Sequence, residues 1–66
     1  MMTLRDLLET TSELQKVDVF YDLYDQERIT GISQSLLSCL NSKYLDSSVV
    51  EIKVDKFETL LVYIGD

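Results

Sequence analysis

A chain of 66 residues with twelve acids, six bases, a single Cys and no His, Trp or Pro is one small domain of net charge −6, and folding at this size buries only about 60% of the unfolded surface. One thiol cannot form a disulfide within its own chain, no Cys/His set for zinc can be assembled, and the acidity argues against holding phosphates through Lys and Arg. With 45% hydrophobic residues the chain has enough apolar material for a core, so a folded domain spanning residues 1–66 is expected.

Thr3 followed by Asp6 has the form of a capping box, with the carboxylate at the positive end of a helix. Leu4, Leu7, Leu8, Thr11 and Leu14 then mark a stripe at helical spacing, which predicts a first helix over residues 4–14. Arg5, Asp6 and Glu9 interrupt what would be the apolar stretch of an export signal, and the longest apolar run, Leu60 to Ile64, is too short to cross a bilayer. The expected location is the cytoplasm, without membrane attachment.

From Val17 the period becomes two. Val17, Val19, Tyr21 and Leu23 alternate with Asp18, Phe20, Asp22 and Tyr24, the pattern of a strand with one buried face. Asp25, Gln26 and Glu27 break the pattern, and residues 28–32 make a shorter second strand, giving a hairpin. Ser33 and Ser35 are candidate N-caps for a second helix carrying Leu36, Leu37, Cys39 and Leu40 and ending near Asn41. Residues 41–48 read as a loop anchored by Tyr44 and Leu45. Val50, Ile52 and Val54 then alternate with Glu51 and Lys53; residues 55–58 form a turn, and Leu60, Val62 and Ile64 mark the inward side of a last strand. The element order αββαββ predicts an α+β domain: a four-stranded, mostly antiparallel sheet with two helices on one face.

Acid/base or metal chemistry would need carboxylates that converge. Asp18, Asp22, Asp25 and Glu27 are close in sequence, yet the loop has neither a turn glycine nor the cation-binding spacing, so they read as a solvated strand face. Cys39 lacks a His to activate it, and its Leu neighbours suggest a buried thiol. Two glycines, Gly31 and Gly65, cannot build a phosphate-cradling loop, and Gly31 reads as a bulge or a strand-to-helix turn. The serines between Ser33 and Ser48 lack a partner base. No catalytic activity, metal or cofactor is expected.

If both helices cover the face bearing Val17, Val19, Tyr21, Val50, Ile52, Val54, Leu60, Val62 and Ile64, the opposite face presents Phe20, Tyr24, Leu61 and Tyr63 among charges. An aromatic patch rimmed by charge has the composition of a protein contact surface. Charge is also uneven: residues 1–27 hold seven acids and two bases, while residues 28–66 hold five and four. An acidic strip of Asp6, Glu9, Glu13, Asp18, Asp22, Asp25 and Glu27 could stand in for a phosphate backbone and occupy a DNA-binding groove; the ordinary alternative is a solubilising surface.

Taken together, Met2 to Leu8, the acidic strand Val17 to Asp22, and the late segments Val49 to Ile52 and Leu60 to Ile64 resemble the short uncharacterised proteins of phages, prophages and mobile elements of low-GC Gram-positive bacteria. The resemblance is one of layout and carries no functional residues with it. It implies action inside a bacterial host by binding and blocking a host protein. The leading expectation is a non-catalytic protein-binding module that works through Phe20, Tyr24, Leu61 and Tyr63 and self-associates as a homodimer through the sheet, without direct nucleic-acid binding. The alternative is an acidic DNA mimic that inhibits a nuclease or repair enzyme.

Overall fold

A computed structural model describes residues 2–21 and 27–65. Helix α1, Leu4–Thr10, begins as the sequence predicts: Thr3 Oγ1 accepts from the Asp6 amide, while the Asp6 carboxylate accepts from the Thr3 amide, both at 3.2 Å. It is shorter than predicted. The Thr10 and Thr11 hydroxyls donate to the Leu7 carbonyl at 2.9 and 2.7 Å, and Thr11 turns extended as the C-cap. Hydroxyls that compete for helix carbonyls in this way favour an end over a further turn. Leu14 therefore leaves the predicted stripe and is exposed.

Strand β1, Lys16–Tyr21, pairs antiparallel with β2, Glu27–Ile32; the predicted continuation of β1 through Asp22, Leu23 and Tyr24 lies outside the described residues. Helix α2, Ser33–Cys39, follows directly. Its N-cap is Ile32, not Ser33 or Ser35, because its first amides find backbone acceptors: Ser33 N donates to the Gln15 carbonyl and Gln34 N to that of Glu13. The predicted loop contains a further turn, α3, Ser42–Leu45, with Asn41 as its cap. Strands β3, Ser48–Val54, and β4, Leu60–Gly65, form the second hairpin.

The domain is α+β, with a four-stranded sheet in the order β2-β1-β4-β3. It is mixed, since β1 and β4 meet in parallel between two antiparallel pairs. The crossover explains this. The α2–α3 segment carries the chain over one face from the end of β2 to the start of β3, so β3 runs in the direction of β2 and β4 in that of β1.

Leu4 and Leu8 of α1, Leu36 of α2 and Leu45 of α3 pack on Val17, Val19, Val62 and Ile64 of the two central strands, forming one buried cluster. Each such side chain contributes roughly 1.5–3 kcal/mol by leaving water. The expectation that Val50, Ile52 and Val54 belong to this core is corrected: they are 70%, 43% and 65% exposed. Seven-residue helices are about 10 Å long, whereas β3 extends about 23 Å at roughly 3.3 Å per residue. The helical layer reaches Val49 at the start of β3 and leaves the far end uncovered. A bulge between Val49 and Glu51 displaces Val50 from the alternation.

Two smaller expectations also change. Gly31 is neither a bulge nor a turn: it pairs with Val17 inside β2, and a Cβ there would lie 3.2 Å from Leu36 Cδ2, so the glycine admits the helix. Cys39 is exposed, because the inward stripe of α2 runs through Ser33 and Leu36, with Leu37 and Leu40 beside them.

Candidate interaction surface

Alternation along β1 and β4 sends Val17, Val19, Leu60, Val62 and Ile64 toward the helices and leaves Asp18, Phe20, Leu61 and Tyr63 on the other face. The registers align these outward residues in two rows across the sheet. One runs Arg28, Phe20, Tyr63, Glu51, and the other Thr30, Asp18, Leu61, Lys53. Two aromatics, a leucine and Asp18 thus occupy the centre, with ionic or hydroxyl side chains at both ends of each row.

Phe20 and Tyr63 are direct partners in the parallel pair, and their rings stack with centroids 4.8 Å apart and planes 16° from parallel. Offset stacking of this kind adds roughly 0.5–1.5 kcal/mol beyond area burial. Lys53 Nζ lies 5.6 Å from the Tyr63 ring centroid and 3.6 Å from Glu51 Oε2. These contacts hold the rim charges beside the rings. Phe20, Leu61 and Tyr63 are each only half-buried, and none of the described helices packs on their side. Of the four residues expected to form the patch, these three are brought together; Tyr24 lies outside the described residues.

The acidic residues do not form one strip among the described residues. Asp6 is engaged in its capping box, Glu9 and Glu13 are exposed on the helical side, and Asp18 lies across the sheet in the outward row of Leu61. Asp22 and Asp25 lie outside the described residues, as does the side chain of Glu27, whose backbone pairs with Tyr21. No three Asp, Glu or Cys side chains converge to hold a metal among the described residues, and no helix there is long and apolar enough to cross a membrane.

Sequence reasoning did not find the exposed apolar line on the second hairpin, made by Val50, Ile52, Val54 and Phe57. No local signal marks it: the spacing predicts a first helix over residues 4–14, longer than the seven residues α1 has, and the edge position of β3 is not written in its alternation. Compared with protein-family models, curated proteins and solved structures, the chain matches none.

Proposed function

We propose that this protein is a non-catalytic binding module that acts in the cytoplasm and docks another protein on the helix-free face of its sheet. The observation that carries the reading is the Phe20–Tyr63 stack beside Leu61, with Asp18 next to them and further charges at the margins, on a face that no described helix covers. Rigid aromatic anchors surrounded by polar groups are the composition that concentrates binding energy at protein interfaces. An unpaired Cys39 at the surface suits a reducing compartment.

The test compares wild type with a Phe20→Ser/Tyr63→Ser variant that keeps a cooperative melting transition, each used to capture partners from the native host's lysate at low and high salt. A partner held by wild type at both salts and lost by the variant supports the reading. Equal capture by both proteins overturns it. Capture that collapses at high salt and is competed by DNA transfers the function to the acidic residues instead.

A further inference from the structure

We infer that β3 pairs with β3 of a second copy, antiparallel and centred on Ile52, to join two sheets into one. β3 is an edge strand whose single neighbour in the sheet is β4. The start of its other side is occupied by the N-terminal segment: Leu4 N donates to the Ser47 carbonyl at 3.0 Å, Val49 N donates to the Met2 carbonyl at 2.9 Å, and Thr3 bridges Ser48. Beyond that point, among the described residues, no backbone partner lies alongside residues 50–54. Open edges invite strand addition, and proteins commonly blunt them.

Residue order over this open stretch selects the occupant. Val50, Glu51, Ile52, Lys53 and Val54 read as a charge palindrome. With a twofold axis at Ile52, Ile52 faces Ile52 of the second copy and each Glu51 faces a Lys53, while each Val54 meets the strand where Val50 bulges out of the alternation. Directly opposed unlike charges stabilise an antiparallel pair and like charges oppose it, so a one-residue slip in this stretch forfeits both ionic pairs and moves the side chains to the wrong faces. The centre of symmetry of the charges coincides with the centre of the uncovered stretch. The side chains that would leave water, Val50, Ile52 and Val54, are the ones the helices fail to cover. The other edge strand, β2, carries no comparable group: among its described side chains none is a large exposed apolar.

Strand addition uses the edge and leaves Phe20, Leu61 and Tyr63 open, while sharing Glu51 and Lys53 with the margin of the docking face proposed above. The test is sedimentation equilibrium over a wide concentration series on wild type, Glu51→Lys, Lys53→Glu and the double exchange. Wild type is expected to rise from 7.6 kDa toward twice that mass. Each single reversal opposes like charges and is expected to weaken self-association at least tenfold. An equimolar mixture of the two single variants restores Glu opposite Lys and is expected to associate as wild type does. General attraction does not explain that rescue, because a reversal moves the net charge of −6 by two and both variants stay negative. The double exchange keeps the palindrome and is expected to dimerise, which covers the case of a single variant that fails to fold. A wild type monomeric at every concentration overturns the inference, as do single variants that self-associate like wild type or a double exchange that folds and stays monomeric. Phe20→Ser/Tyr63→Ser is expected to leave the association intact, so failure of the docking face and failure of the edge are read separately.

Discussion

Ser33 and Leu8 are joined across the helical layer: the buried Ser33 Oγ donates to the Leu8 carbonyl at 2.9 Å, tying the first turn of α2 to the last turn of α1. The carbonyl belongs to the group of helix-terminal acceptors without a partner inside their own helix, and its other contact, from the Thr11 amide, is long at 3.3 Å. Ser33→Ala removes the better of the two donors at a site with little room for water. The expected loss is about 1 kcal/mol of unfolding free energy, read as a lower urea midpoint at unchanged slope.

Gly31 admits Leu36 to the sheet. A Cβ at 3.2 Å from Leu36 Cδ2 displaces a core side chain that is 5% exposed. Gly31→Val is expected to cost about 1–3 kcal/mol through overpacking, and Gly31→Ala less, because the leucine tip can shift by the few tenths of an ångström needed. Thermal melts of the two variants should rank in that order below wild type.

The turn between β3 and β4 holds a residue in an unfavourable backbone region. Glu58 has φ 62°, while Asp55 Oδ1 accepts from the amides of Phe57 and Thr59 at 2.8 and 2.9 Å and fixes the loop around it. A side chain in the left-handed region costs roughly 1–2 kcal/mol, part of which glycine returns through its freer unfolded state. Glu58→Gly is expected to raise stability by about 0.5 kcal/mol, seen as a higher urea midpoint. The Gln15 Nε2 contact at 2.6 Å goes to the Glu58 carbonyl and survives the change.

Thr3 has two duties, as the N-cap of α1 and as the bridge to Ser48 at the edge of β3. Thr3→Ala removes the hydroxyl and leaves the backbone bridge. A loss of about 1 kcal/mol is expected from the cap, with amide exchange accelerated first in α1. Unchanged exchange at the Asp6 amide would count against the hydroxyl as its protector.

Features written in neighbouring residues were legible in the sequence. Thr3 with Asp6, the alternation of β1 and β4, and the turn at residues 55–58 follow from local chemistry, and so does the placement of Phe20, Leu61 and Tyr63 on one side of their strands. What needed three dimensions was contact between distant segments. The N-cap of α2 is replaced by the carbonyls of Glu13 and Gln15, so the serines that suggested a cap are not used as one. Cys39 reads as core until Ser33 and Leu36 fix the inward line of α2 on another side. The Phe20–Tyr63 stack depends on a parallel register between the first and last strands, which no local pattern specifies.

That central seam also decides how the chain must fold. Val17 and Val19 lie against strand partners more than forty positions away, Leu60 and Val62, so the αββ half containing β1 has one side of its central strand unpaired and its core without Val62 and Ile64 until the other half has been made. A fragment ending after α2 is therefore a poor candidate for autonomous folding, and the loop-closure entropy of the full chain falls due before its best contacts form. High contact order of this kind, concentrated at the middle of the sheet, implies slower refolding than a helical bundle of equal length and a single cooperative transition rather than stepwise loss of one hairpin.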